Sequence, residues 1–267
     1  SGSNYPTGSL FSNATYYVGA SGTGCASPRV QVDVTVKANP TTSIIAGPAT
    51  VCQGDVNIGY SVLNTAGSTY SWVGTGGLIL ASGQIAHDVT VDFGAGAGSI
   101  TVTETNTDGC NGAPINQNIT VNSLPNVTVT PFNTTICEGQ IAYLNSTGAS
   151  TYTWSPALNL NSTTGSNVEA TPSVTRDYTV TGTDINGCKD NDVAFITVIP
   201  LPSAPTANGA SICYGNSTTL SATGSTGNYD WFSTPVGGAL FYSGSNYPTG
   251  SLFSNATYYV GASGTGC

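Results

Sequence analysis

The chain has 267 residues, a formal net charge of −9, and only 6% charged residues. Typical globular domains carry about 25% charged residues, so this composition argues against an ordinary cytosolic enzyme. The four lysines and arginines are too few for a nucleic-acid surface or for binding to anionic membranes. No apolar run approaches the roughly 18–20 residues of a membrane-spanning helix, so we predict no membrane insertion.

The predicted elements are short strands from the beginning of the chain onward. Residues Ala14–Val18 and Val30–Val36 form strand-like runs, and the second alternates apolar and polar residues as VQVDVTV. Alternation with a period of two is typical of a half-buried strand. Residues Lys37–Thr42 are polar, contain a proline, and are predicted to be a linker.

Three stretches then follow one internal plan. Each begins with Cys-x-Gly, carries an aromatic-x-Trp motif about 20 residues later, and ends a long alternating run at Gly-Cys. Short strands separated by Gly, Asn and Asp turns predict antiparallel β-sandwiches, so the fold class is all-β. The predicted domains are residues 41–125, 126–202 and 203–267. We expect Trp72, Trp154 and Trp231 to anchor the three cores, rather than to stack on glycans.

Residues 1–25 and 243–267 are identical, letter for letter, at an offset of 242 residues. Identity at a fixed period marks a tandem array. The chain is therefore interpreted as one period of a longer array plus a short overlap. On this interpretation residues 1–37 are the C-terminal part of a domain whose head lies in a preceding copy, and residues 203–267 lack a final strand. The expected partners are neighbouring copies of the same sequence.

The recurrent motifs resemble a known group of surface domains. Residues 47–55 (GPATVCQGD) and 102–110 (VTETNTDGC) resemble PKD-like domains, whereas 134–139 (TTICEG) and 178–188 (YTVTGTDINGC) resemble Ig-like domains. Tandem arrays of both types occur in giant cell-surface and secreted adhesins of Bacteroidetes, including proteins associated with gliding motility. The resemblance covers essentially the whole chain and implies an extracellular or cell-surface location.

Seven cysteines recur at fixed positions of the plan, which predicts disulfides and an oxidising compartment. The favoured pairing is within domains: Cys52–Cys110, Cys137–Cys188 and Cys213–Cys267, with the partner of Cys25 outside the chain. The alternative joins neighbouring domains, as in Cys52–Cys188 and Cys137–Cys267. Zinc is disfavoured because no Cys-x-x-Cys occurs and the chain has a single histidine.

One acidic stretch, TDINGCKDND, is a weak calcium candidate through Asp184, Asn186, Asp190 and Asp192. Carboxylate and amide oxygens are suitable calcium ligands. The favoured interpretation is nevertheless a turn, because Asp-x-Asn-Gly suits positive backbone angles.

No catalytic motif or cofactor-binding loop is found. His87 is the only histidine, and neither a Gly-x-Ser-x-Gly elbow nor a phosphate-binding loop occurs, so we predict no enzyme activity and no cofactor. The leading hypothesis is an extracellular structural or adhesive repeat protein that forms a rod or filament. The alternative is a ligand-binding sandwich module with a glycan or protein ligand, for which Tyr5, Tyr16 and Tyr17 would supply stacking surface.

Overall fold

The computed structural model describes residues 4–264. Within this range the chain contains twenty-two β-strands, and no helix is long and apolar enough to cross a membrane. The fold is therefore all-β, as predicted. The chain divides into two compact units that meet in the sequence at Ser123 and Leu124. The first unit contains an N-terminal hairpin and one sandwich, and the second unit contains two further sandwiches.

The hairpin consists of β1 (Ala14–Val18) and β2 (Val30–Val34), which pair antiparallel with Ala14 opposite Val34. A cross-strand hydrogen bond joins Thr15 Oγ1, the donor, to Asp33 Oδ1 at 2.7 Å. Hydrogen bonds from Thr15 and then from Gln31 lower the pKa of the Asp33 carboxyl. Most of the hairpin surface is exposed, including Val30 and Val32 on one face of β2.

The first sandwich has seven strands: β3 (Thr50–Cys52), β4 (Ile58–Ser61), β5 (Thr69–Gly74), β6 (Leu78–Ser82), β7 (Asp88–Phe93), β8 (Gly98–Thr105) and β9 (Ile115–Asn122). They form two sheets with the orders β3-β9-β8-β5 and β4-β7-β6. The pair β3 and β9 is parallel, and the other pairs are antiparallel. Alternating apolar side chains from both sheets meet around Trp72 in a single core.

The second sandwich repeats this arrangement: β10 (Thr128–Thr130), β11 (Asn133–Cys137), β12 (Ala142–Thr147), β13 (Thr151–Ser155), β14 (Asn167–Ala170), β15 (Arg176–Thr183) and β16 (Lys189–Ile199). The sheets are β11-β16-β15-β13 and β10-β12-β14. The pair β11 and β16 is parallel, as β3 and β9 are in the first sandwich. Trp154 lies in the core.

The third sandwich has six described strands: β17 (Thr206–Ala207), β18 (Thr219–Thr223), β19 (Asn228–Phe232), β20 (Leu240–Ser243), β21 (Asn246–Pro248) and β22 (Tyr259–Ser263). Its sheets are β17-β18-β21 and β20-β19-β22. Among the described residues, no strand pairs with β22 on the side away from β19. This sandwich therefore shows no counterpart of β9 and β16, the strands that complete the other two.

Candidate assembly site

The three tryptophans identify equivalent strands in the three sandwiches. Each tryptophan lies directly opposite a valine of the neighbouring strand: Trp72 opposite Val102 of β8, Trp154 opposite Val180 of β15, and Trp231 opposite Val260 of β22. All three tryptophans are at most 4% exposed, which is the core position that the sequence predicted. Strands β8 and β15 are also paired on their other side, with β9 and β16 respectively.

The duplicated segment adopts two complementary structures. In the hairpin, all five residues of Ala14–Val18 pair with β2. The identical residues in the third sandwich are Ala256–Val260, and there the strand begins only at Tyr259. That strand instead continues to Ser263 and pairs with β19, whereas β1 ends at Val18. The first copy of the segment therefore forms a strand where β2 is its neighbour, and the second copy forms a strand where β19 is its neighbour.

A second segment of the third sandwich is also outside any strand. Ser211–Cys213 corresponds to β3 and β11, because all three segments end at the Cys-x-Gly motif. Strands β3 and β11 pair in parallel with β9 and β16. In the third sandwich that parallel neighbour has no counterpart among the described residues.

A cleft of about 260 Å³ lies beside this edge of the third sandwich. Its lining includes Trp231 from the core, Leu220 from β18, and Tyr258 and Val260 from the duplicated segment. Tyr258 and Val260 are half-buried, whereas the residues at the corresponding positions of the other sandwiches, Ile100, Val102, Tyr178 and Val180, are fully buried. The core of the third sandwich is therefore open where a final strand covers the other two.

Asp230 fixes the position of β22 next to this cleft. Its carboxylate accepts hydrogen bonds from Ser243 Oγ of β20 and from Ser263 Oγ of β22, each at 2.6 Å. These two hydrogen bonds, the Ser243 one first, lower the pKa of the Asp230 carboxyl because they stabilise its charged form. The ionised carboxylate therefore connects three adjacent strands.

The cysteines do not follow the favoured pairing. Cys52, Cys137 and Cys188 are disulfide-bonded, whereas Cys25, Cys110 and Cys213 carry free thiols. The predicted pairs Cys52–Cys110 and Cys213–Cys267 are therefore wrong, because one member of each pair is free. Cys267 itself lies outside the described residues.

Strand register explains why pairing within a domain fails. Cys52 lies opposite Asn122 at the end of β9, while Cys110 precedes the start of that strand. In the second sandwich Cys137 lies opposite Ile199, at the end of the eleven-residue strand β16, and Cys188 directly precedes that strand. At about 3.3 Å per residue the two cysteines are on the order of 30 Å apart, and a disulfide needs Cα atoms within about 7 Å. The predicted Cys137–Cys188 bond is therefore also wrong.

The calcium candidates form hydrogen bonds within the protein. Asp184 Oδ1 accepts from the backbone N–H groups of Asn186 and Cys188, each at 2.8 Å, and so closes the turn before β16. Asp192 Oδ2 accepts from the N–H of Val129 at 2.8 Å, and thereby holds β10 beside the start of β16. Asp190 lies two residues earlier on the same strand. Among residues 4–264 no three acidic, histidine or cysteine side chains are grouped as a metal site.

Comparison with known families agrees with this architecture. A PKD-like domain model matches residues 37–121, and the model described as an Ig-like domain, CHU_C associated, matches residues 202–267. Residues 37–121 are therefore a PKD-like domain and residues 202–267 an Ig-like domain of the same chain. Domains of these families are typically non-catalytic, and such tandem arrays are consistent with an extracellular adhesive or structural module. No curated protein sequence matches the chain.

Solved structures with similar folds are tandem Ig-like chains. An I-band fragment of titin is 14% identical, with 78% of this chain and 83% of that chain covered and a TM-score of 0.36. A second titin fragment is 12% identical, covers 80% and 88% of the two chains, and gives a TM-score of 0.30. The insect immune protein hemolin is 10% identical over 69% of this chain and 56% of its own, with a TM-score of 0.31.

Proposed function

We propose that this protein is an extracellular structural or adhesive repeat protein whose copies follow one another end to end in a surface fibre. The observation that carries the proposal is the duplicated segment. It forms a strand pair with β2 at residues 14–18, and it forms the opposite strand pair with β19 at residues 259–263. In the proposed fibre, these two segments belong to two halves of a single domain, at the two ends of a 242-residue period.

The proposed junction is completed by β-strand addition. The segment Val30–Val34 of the following copy would pair with Ala256–Val260 in the register that β1 and β2 already show. Backbone hydrogen bonds would then satisfy the open edge of β22. The exposed side chains of Val30 and Val32 lie on one face of β2, and they would enter the cleft over Trp231.

Burial of apolar surface favours this junction. Fully burying an exposed valine side chain contributes about 1.5–3 kcal/mol. Because Val30 is 63% and Val32 46% exposed, covering both would contribute roughly 2–3 kcal/mol in total, before strand pairing is counted. In a covalent array the following copy belongs to the same polypeptide, and its residues 1–25 are residues 243–267 of the copy before it. In a polymer of separate chains, β2 would first have to leave β1, with which it already pairs. The acidic surface charge of −9 is compatible with either form and keeps neighbouring fibres apart.

The alternative function, a ligand-binding module, has a weaker basis. Four aromatic side chains cluster in the third sandwich, with ring centroids 5.1–5.2 Å apart between Tyr247 and each of Phe241, Tyr242 and Tyr258. Of these four, only Phe241 is exposed, at 43%. A glycan platform requires several exposed rings, so this cluster favours packing beside the cleft.

Immunogold labelling of intact source cells tests the proposal. An antibody raised against the described chain is expected to label extracellular fibres without permeabilisation. An antibody against a cytosolic protein serves as the control for cell integrity. Label that appears only after permeabilisation, or only as soluble material in the medium, would contradict a surface fibre.

A further inference from the structure

Two kinds of cysteine occur in the sequence, and in the first two sandwiches they lie at opposite ends of the domain. The strand cysteines, Cys52, Cys137 and Cys213, precede the x-Gly motif; the turn cysteines, Cys110, Cys188 and Cys267, follow the long alternating strand, and Cys25 is the preceding copy of Cys267. Register places Cys52 beside Asn122 and Cys137 beside Ile199. Both strand cysteines of the complete sandwiches therefore lie where the chain leaves the domain.

The turn cysteines lie where the chain enters. Near Cys110, the Asn106 side chain donates to the carbonyl of Ala38, and Lys37 forms an ion pair with Asp108 at 3.1 Å. In the second sandwich the turn that contains Cys188 leads into β16, whose Asp192 accepts from Val129, one of the first residues of that domain. The first and second sandwiches thus each carry one cysteine at each end along the direction of the chain.

We infer that every disulfide of this array joins the strand cysteine of one domain to the turn cysteine of the next domain. The scheme gives Cys52–Cys188 and Cys137–Cys267 within one copy, and Cys213 bonded to Cys110 of the following copy. Cys25 then pairs with Cys137 of the preceding copy. Short connections make the scheme feasible, because only five residues separate β9 from β10.

The bonding states of the described cysteines match this scheme. The scheme gives Cys52, Cys137 and Cys188 a partner within residues 1–267, and these three cysteines are disulfide-bonded. Its members whose partner belongs to another copy are Cys25, Cys110 and Cys213, which are the free thiols. Pairing within domains would instead leave Cys25 alone without a partner in the chain. The free thiols are therefore those whose partners lie in other copies. We call the series of disulfides that join consecutive domains the disulfide ladder.

Formation of the bond between copies is an ordinary oxidation. The thiols of Cys213 and of Cys110 in the next copy lose two protons and two electrons as the sulfur–sulfur bond forms. A small-molecule disulfide such as oxidised glutathione accepts them and is released as two thiols. Such an oxidant belongs to the oxidising compartments in which structural disulfides persist.

Disulfide mapping of the single-period chain tests the scheme without reference to any fibre. The native protein is alkylated, digested with pepsin at low pH to prevent exchange, and analysed by mass spectrometry without reduction. We expect a linked peptide pair containing Cys52 and Cys188, with alkylated Cys25, Cys110 and Cys213. A linked pair containing Cys52 and Cys110, or Cys137 and Cys188, would overturn the inference.

The bond between copies rests on the proposed function and needs its own experiment. A chain of two consecutive periods is expected to keep three reactive thiols, as many as the single period has. If Cys213 and Cys110 do not pair at the junction, two more thiols react. As a control, Cys213→Ser in the first period alone should expose one additional thiol, on Cys110 of the second. The disulfide map of one period tests the bonds within a copy, and the number of reactive thiols in two periods tests the bond between copies. Failure of the first and failure of the second can therefore be distinguished.

Discussion

At the scale of single residues, the same hydrogen bond, from a tryptophan indole to a backbone carbonyl, occurs in each of the three cores. The indole N–H groups of Trp72, Trp154 and Trp231 donate to backbone carbonyls of Ala86, Gly165 and Gly244 at 2.8, 2.9 and 2.9 Å. A buried indole without a partner would lose about 1–3 kcal/mol, so each acceptor allows a large aromatic ring to lie in the core. The third bond holds the loop before β21 through Gly244, which belongs to the duplicated segment at residues 243–267. The same device thus positions the cleft that the other two sandwiches cover.

Asp230 provides the residue-scale prediction. Its folded-state pKa is lowered by the hydroxyls of Ser243 and Ser263, below an unfolded value of about 3.9. A lowered pKa means that the carboxylate stabilises the fold above the unfolded pKa, and that this contribution is lost as the pH falls through the folded pKa. Because the carboxyl is only half-buried, we expect a modest lowering of its pKa, measured by carbon NMR titration of the side chain.

The matched variants separate the hydrogen bonds from other influences on Asp230. Ser243→Ala combined with Ser263→Ala should raise its pKa toward the ordinary value of an aspartate side chain. Ser221→Ala, which removes a hydrogen bond to Asn246 in the same sandwich, should leave that pKa unchanged. An unaltered pKa in the double variant would show that the hydroxyls are not the cause.

At the scale of elements, the behaviour of the duplicated strand yields a second prediction. In a chain that continues after Cys267 with residues 26–37, the new strand should pair with Ala256–Val260 and cover the cleft. Amide exchange at Ala256–Tyr258, measured by NMR, should then slow by roughly tenfold or more, because these amides gain a neighbouring strand. The chain without the continuation is the reference.

An extended chain with Val30→Asp and Val32→Asp in the added segment is the matched control. Its backbone is unchanged, but charged side chains would face the apolar cleft, and burying an unpaired charge is costly. We expect exchange to remain fast in this variant. Equal protection in both extended chains would indicate that the valines do not enter the cleft.

The strands and core tryptophans could be predicted from the sequence, whereas the cysteine pairing could not. Alternating apolar and polar residues predict the strands, and the aromatic-x-Trp motif predicts the core tryptophans, because both patterns follow from local burial. The cysteine pairing depends instead on which end of a strand each cysteine occupies. That is fixed by the parallel pairing of β3 with β9 and of β11 with β16, which no local pattern indicates. The sequence predicted that residues 203–267 lack a final strand, but it did not single out the cleft residues Leu220 and Tyr258, because their meeting beside Trp231 depends on how two distant segments of the chain pack.

At the scale of the whole molecule, the period of 242 residues predicts the repeat of the proposed fibre. The longest strand, β16, has eleven residues and spans roughly 35 Å at about 3.3 Å per residue, which sets the length of one sandwich. If the proposed fibre joins its three sandwiches end to end, its axial repeat should be on the order of 100–130 Å. Cryo-electron microscopy of isolated fibres, with power spectra along the fibre axis, measures this distance directly.

Reduction provides the test that ties the repeat to the disulfide ladder. If each disulfide joins consecutive domains, reductant breaks the covalent bond at every junction between domains. The axial reflection in the power spectrum should then weaken and broaden, because the linkers can bend. If disulfides lie inside domains, the junctions are unaffected and the repeat stays sharp under mild reduction. An axial repeat near the length of one domain would contradict the end-to-end arrangement itself, because the three sandwiches differ in sequence and a true period must contain all of them.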